Sequence, residues 1–269
     1  MSTPQPSGRT RPPLQGVRRI LHYNLPFYAM ALTGSGAVVL LLLAAPWPAW
    51  VAVPAIAFVI LTLLWSLTSL AASYWVYDRS PLYRFAWLTA GLERAPRRWL
   101  NLHNGLDEVG SAVEVFPDAS RHDLDVYDPA AMTEPAIRRA RSTDRSPAPV
   151  AAFNALPVSE ASCDLVTIIF TGHELRSAAD RRDFLREVAR ALTPNGTLVL
   201  VEHLRDLPNA LVFGPGVLHF LPLRTWTAAF VSTQLVIERD VRITPFVHAL
   251  FLRLPSEKTA PSPDVRRPA

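Results

Sequence analysis

Residues 164–201 contain DLVTIIF (164–170), AADRRDFLREVARAL (178–192) and TLVLV (197–201), with Pro194-Asn195-Gly196 joining the last two. The first run is rich in β-branched residues and reads as a strand buried on both faces. The second places Phe184, Leu185, Val188 and Leu192 on one stripe of an amphipathic helix. The third is a strand again. Short apolar runs alternating with helix-length segments predict an α/β domain with a mostly parallel sheet.

Working outward, the same alternation extends from residue 96 to 254. Residues 99–103 read as a strand, followed by a turn at Gly105 and a helix over roughly 107–116. Residues 121–126 form the next strand, closed by Asp128-Pro129, and residues 130–141 look helical. A short strand is expected at 150–153, a helix at 223–231 and late strands at 235–239 and 246–253. No internal repeat is present. Residues 1–15 and 255–269 are rich in proline and polar residues and are expected to be disordered.

Between Arg19 and Asp78 there is no Asp, Glu, Lys or Arg. About 20 apolar residues span a bilayer, so this interval predicts two helices, near 27–45 and 49–75, broken at Ala45-Pro46-Trp47-Pro48. Arginines precede the first and follow the second, while the connecting turn has none. The positive-inside rule therefore predicts a multi-pass protein of the inner (cell) membrane with both ends and the α/β domain in the cytoplasm. Residues 81–92 are expected to lie on the inner surface as an amphipathic segment. Competing readings are a cleaved export signal, whose apolar core would be shorter, and a buried hairpin of a soluble protein. The resulting division is a basic disordered segment (1–19), a hairpin (20–77), an interfacial linker (78–98), the α/β domain (99–254) and a disordered tail (255–269).

Charge divides the same way. Residues 1–98 carry nine Arg against two acids, whereas residues 99–255 carry 15 Arg against 19 acids. A mildly acidic domain does not suit a phosphate-tracking groove, so no nucleic-acid partner is expected. Lys258 is the only lysine, which removes Schiff-base and phosphate-loop lysine chemistry. The single cysteine, Cys163, excludes an intramolecular disulfide and a multi-cysteine zinc site.

Strand, glycine turn, helix and then an acid ending the next strand is a nucleotide-binding arrangement, and Gly105 and Asp125 stand 20 residues apart. Taken alone, a plain turn glycine and a solvated strand-end acid explain the pair equally well. The larger pattern is more specific. Leu156-Pro157, Ser162-Cys163-Asp164-Leu165-Val166, Phe184-Leu185-Arg186-Glu187 and the run from Arg190 to Glu202 follow one another in an order and spacing that resembles the class I S-adenosylmethionine-dependent methyltransferases of the type 11 kind. The resemblance implies a Rossmann-like methyltransferase domain with a mostly parallel sheet, preceded here by a two-helix transmembrane hairpin. It implies S-adenosylmethionine as cofactor, with Asn104 and Gly105 facing the methionine moiety and Asp125 holding the ribose. Val126, Phe153 and Asn154 would border the adenine, and Phe170 and Thr171 would close the floor. The chain departs from the family in having one glycine in the first turn and Ala152 where an acid often follows the third strand.

Methyl transfer is an in-line displacement that often needs a base. In the loop Thr171-Gly172-His173-Glu174-Leu175-Arg176, His173 and Glu174 are the expected catalytic pair. Arg176, His203, Arg205 and His219 are expected to bind substrate. Each has an ordinary structural explanation as well, such as a helix-start ion-pair network. His173, Glu174, Glu202 and His203 could ligate a metal, but they lack a tight ligand motif and no metal is expected. The expected partners are the lipid bilayer and a small lipophilic methyl acceptor. Two alternatives remain: a catalytically degenerate nucleotide-fold module serving as a membrane scaffold and, disfavoured by the missing glycines, a nicotinamide-dependent oxidoreductase.

Overall fold

The computed structural model describes residues 12, 14–106, 108–109 and 115–255. Helix α1 (Gln15–Tyr23) leads into α2 (Leu25–Ala44) and α3 (Ala49–Tyr74), which pack against each other. The chain breaks between α2 and α3 at the expected prolines. Both are long and apolar enough to cross a membrane, and almost none of their surface is buried in the protein. Leu40, Leu43 and Trp50 are 69–79% exposed. α3 runs on into a π-helical turn (Trp75–Arg79), followed by a 3₁₀ turn (Leu82–Arg84) and α4 (Ala86–Gly91).

Six strands follow: β1 (Arg98–His103), β2 (Ser120–Asp125), β3 (Cys163–Ile169), β4 (Leu192–Glu202), β5 (Val236–Thr244) and β6 (Val247–Arg253). Between them lie α5 (Pro135–Asp144), α6 (Ala178–Ala191), α7 (Leu207–Phe213) and α8 (Leu223–Ser232). The sheet order is β2-β1-β3-β4-β6-β5. The first four strands are parallel, and β6 runs antiparallel to both of its neighbours. The strand order reverses between β1 and β3, which opens a crevice outside the carboxyl ends of the parallel strands. This is the mostly parallel sheet that the alternation predicts, in the Rossmann-like arrangement that the resemblance implies.

Three expectations need correction. The strand expected at 150–153 is reduced to isolated bridges, a parallel one between Val150 and Asp125 and an antiparallel one between Ala152 and Ala155. The helix after β2 starts at Pro135 rather than residue 130, because proline suits the first helical turn and interrupts a longer one. The helix expected over 107–116 lies mostly outside the described residues, as do residues 1–11 and 256–269. Residues 15–19, expected to be disordered, belong to α1: Asp78 accepts hydrogen bonds from the Gly16 and Val17 amides at 2.7 and 2.8 Å, satisfying donors that a helix start leaves open.

The linker differs most. Residues 81–92 were expected on the membrane surface, yet Leu82, Phe85, Trp87 and Leu88 are buried. With Val76 they pack on the sheet face formed by Trp99, Leu165, Ile169, Val199, Val201 and Phe251. The opposite face, carrying Leu100, Leu102, Val166, Ile168, Leu198 and Leu200, is covered by Phe184, Leu185 and Val188 of α6 and Trp226 of α8. Strand residues alternate between faces, so a sheet buried on both sides needs two covers. The segment leaving α3 supplies one of them.

Candidate functional site

The carboxyl ends of β1 to β4 carry every polar group of interest. Asn104 and Gly105 follow β1. Gly105 has φ +93°, a conformation glycine adopts without strain. Asp125 ends β2 and is fully buried. Its Oδ1 accepts from the Tyr127 amide at 3.1 Å and from Arg141 Nη1 at 2.8 Å. Its Oδ2 lies 3.5 Å from Arg145 Nε but has no hydrogen-bond partner among the described residues.

Arg141, on α5, was not anticipated. Its guanidinium also donates to the Asn104 carbonyl at 2.5 Å and lies over the Tyr127 ring, 4.0 Å from the centroid. A side chain at position 105 would put its Cβ 1.8 Å from Arg141 Nη1 and 3.3 Å from Asp125 Oδ2. The arginine therefore fills the space between the glycine turn and the acid. α5 is in turn tied to α1: Arg139 Nε donates to the Tyr23 carbonyl at 2.7 Å, the Tyr23 hydroxyl donates to Asp144, and Arg19 pairs with Asp144 at 3.3 Å. The only sequence signal for this latch was the run of four arginines at 138, 139, 141 and 145.

The remaining expected cofactor residues separate. Val126 is buried beside Asp125, and Phe153 is buried edge-to-face against Phe184. Asn154 is exposed. Thr171 is buried, with its hydroxyl donating to the Ile169 carbonyl. Phe170, at φ +49°, stacks on His203 with centroids 5.1 Å apart. The Asn104 amide donates to the Phe170 carbonyl at 3.5 Å, joining the ends of β1 and β3.

A second polar cluster sits over β3 and β4. His173 is buried, with Nδ1 2.6 Å from Glu202 Oε2 and Nε2 3.2 Å from Glu174 Oε1. His219 brings its Nε2 to 3.1 Å from His173 Nε2. Arg176 donates to His219 Nδ1 at 2.7 Å and to its carbonyl at 2.5 Å. Burial alone would push the His173 pKa down, but the charges of Glu202 and Glu174 outweigh it and raise it to about 10. Burial opposes ionisation of Glu174 too, and the His173 charge holds its carboxyl well below the usual range. A protonated imidazole donates hydrogen bonds rather than taking a proton, so this balance of charges works against the general-base role expected of His173. Glu202 is the partner that orients it.

His203 and Arg205 stand apart from this cluster. His203 is sandwiched between Phe170 and Phe220, at 5.1 and 4.8 Å. The Phe246 carbonyl accepts from its Nδ1 at 2.8 Å, so Nε2 is left to accept from the Tyr77 hydroxyl at 2.9 Å. Burial lowers its pKa to about 4. Arg205 is exposed and donates to the carbonyls of Phe220 and Leu218, bracing the 3₁₀ turn (Gly214–His219) that carries His219.

Residues 118–200 match the profile of the family described as methyltransferase domain. The chain carries a class I S-adenosylmethionine-dependent methyltransferase domain. No curated sequence relative matches it. Among solved structures, the mitomycin 7-O-methyltransferase MmcR is similar at 16% identity with a TM-score of 0.51, over 91% of this chain and 74% of that one. The pyocyanin biosynthetic protein PhzM is similar at 13% identity with a TM-score of 0.53, over 88% and 73%. At such identities the likeness is one of fold, and its extent takes in part of the N-terminal helices as well as the sheet.

The methyltransferase residues fit an S-adenosyl nucleoside. The buried Asp125 Oδ2, which accepts no hydrogen bond among the described residues, suits a donor of the ribose-hydroxyl kind, and Gly105 leaves room that any Cβ would take.

Proposed function

We propose that this protein is a membrane-anchored methyltransferase whose acceptor is a small lipophilic molecule met at the cytoplasmic surface of the bilayer. The observation that carries this reading is the seat of α3 on the segment that roofs the second polar cluster. Thr68 Oγ1 donates to the Val212 carbonyl at 2.8 Å, and the Trp65 ring lies over Gly214, where a Cβ would come within 2.4 Å of it. Beside that contact Leu207, Leu211 and Leu218 are 64–70% exposed, and Leu218 immediately precedes His219. An apolar surface continuous with a membrane helix, directly outside a buried polar cluster, suits an acceptor that arrives from lipid. The absence of charge between Arg19 and Asp78 and the arginines flanking it support two spans with both ends inside.

In this reading Asn104, Gly105, Phe170 and Thr171 border the methionine end of the cofactor, Asp125 holds the ribose, and Val126, Phe153 and Asn154 border the adenine. When bound, the cofactor supplies an electrophilic methyl on sulfur. The chain's own task is to hold the acceptor atom in line and manage its proton. His219, a third exposed, and Arg176 meet the acceptor, while His173 and Glu174 behind them set the direction of the His219 ring.

The test is methyl transfer by the full-length protein in proteoliposomes, using radiolabelled S-adenosylmethionine and a total lipid extract. Label is expected in a lipid-soluble product. Cofactor binding without label in any lipid fraction would overturn the lipophilic acceptor, and extraction of the protein into buffer without detergent would overturn the anchor.

A further inference from the structure

Three ligand-type atoms on two loops converge on one point in the second cluster. His173 Nε2, Glu174 Oε1 and His219 Nε2 lie 3.1, 3.2 and 3.6 Å from one another. A tetrahedral ion with bonds of about 2.0–2.1 Å to nitrogen and oxygen sets its ligand atoms roughly 3.3 Å apart. We infer that His173, Glu174 and His219 form a binding site for one divalent transition ion of the zinc type, with an open position on the side of the half-buried His219. The inference deepens the function proposed above and rests on it for the ion's purpose, which is to hold and polarise the acceptor.

Proton bookkeeping favours an ion. Arg176 has only donors, so His219 Nδ1 accepts and its Nε2 carries hydrogen. Glu202 receives the Nδ1 hydrogen of His173. If His173 Nε2 also carries hydrogen, two N–H groups crowd 3.1 Å apart onto one carboxylate oxygen. If it does not, its lone pair faces Glu174 Oε1 at 3.2 Å. A cation at the centre relieves both cases, because all three atoms then offer lone pairs to it. Among the described residues Glu174 Oε2 is buried without a hydrogen-bond partner, which leaves this carboxylate under-satisfied as the cluster stands.

The surrounding groups also match. Metal-bound histidines usually donate their other ring nitrogen to a carboxylate, and Glu202 receives His173 in that way at 2.6 Å. For His219 the matching carboxylate is Glu134, whose Oε1 lies 3.5 Å from Nδ1. Loading the site shifts the His219 hydrogen from Nε2 to Nδ1, where it faces Glu134, and turns Arg176 away from the ring. Arg176 keeps the His219 carbonyl as its anchor.

The experiment uses full-length protein in detergent, stripped with chelator, dialysed and titrated with Zn²⁺ by calorimetry, then with Co²⁺ by visible absorption. One equivalent of zinc, and a cobalt spectrum of low coordination number, are expected. Glu174→Gln and His219→Asn should each weaken binding at least a hundredfold, Glu202→Gln about 10–100-fold, and His122→Asn, at an exposed position on β2, not at all. No binding to folded protein, or binding unchanged in both Glu174→Gln and His219→Asn, overturns the site. Thermal melts confirm that the variants fold. S-adenosylhomocysteine titrated into the same preparations reports the methyltransferase reading independently, so the two can fail separately.

Discussion

Arg141 Nη1 lies 2.8 Å from Asp125 Oδ1, so the acid that ends β2 is already held by a cation from α5. The same guanidinium stands on the carbonyl of Asn104 and against Gly105, the turn assigned to the cofactor in the proposal above. In the cofactor site proposed above, binding is an exchange, with the nucleoside's hydroxyls replacing a guanidinium at a fully buried carboxylate. Arg145, 3.5 Å from the other oxygen, can keep the charge compensated while Arg141 is away.

Shortening the latch should therefore tighten cofactor binding. Arg141→Ala is expected to lower the Kd for S-adenosylhomocysteine about 3–10-fold by calorimetry, since a competing charge pair of roughly 1 kcal/mol or a little more is removed. It should also cost stability, because Asp125 stays buried with Arg145 alone. A weaker Kd would mean that Arg141 contacts the nucleoside rather than yielding to it.

Gly105→Ala tests the turn itself. The residue would take on φ +93° and place its Cβ against Arg141. Strain of about 1–3 kcal/mol is expected, with a lower Tm and cofactor affinity reduced at least tenfold. Double substitution with Arg141→Ala should restore part of the affinity, because one of the two clashes then disappears.

His203 gives a pH signature. Its folded pKa of about 4 lies below the ordinary value near 6.5, so the unfolded chain takes up the proton first. The stability contributed by keeping this ring neutral is complete above pH 6.5 and is lost as pH falls towards 4, up to ~3 kcal/mol. Replacing His203 by Gln should lower the Tm at neutral pH, since the stack between Phe170 and Phe220 is broken. It should also shrink the loss of stability between pH 7.5 and 4.5, compared by chemical denaturation at both. An unchanged pH difference would place the acid sensitivity elsewhere.

The sheet was legible because its strands announce themselves: DLVTIIF supplied most of β3 and TLVLV the later half of β4, and Gly105, Asp125 and Glu202 fell at strand ends on one edge. The two apolar helices were equally plain, since composition alone fixes their length. Long-range side-chain placement was not legible. Nothing local to Arg141 says that α5 will carry it to Asp125, and nothing local to His219 says that a 3₁₀ turn 46 residues on will set it against His173. His203 was read as a substrate group because it follows a strand, yet the aromatic rings that enclose it come from three separate segments.

The linker illustrates the same limit and carries the last prediction. An aromatic-rich, arginine-flanked segment next to a membrane helix reads as an interfacial one, since Trp, Tyr and Arg favour that depth. The alternative, a sheet face lacking its cover, becomes visible only when the strands are assembled. Leu88 is fully buried in that cover, so Leu88→Ala should cost about 2–5 kcal/mol, as large-to-small changes in a core do. A surface residue resting in lipid headgroups would lose far less in detergent. Residues 99–255 expressed alone should expose Trp99, Leu165, Val199 and Phe251 and aggregate, whereas residues 75–255 should stay monodisperse by size-exclusion chromatography. A well-folded, monomeric 99–255 fragment would show that the segment leaving α3 is dispensable to the core.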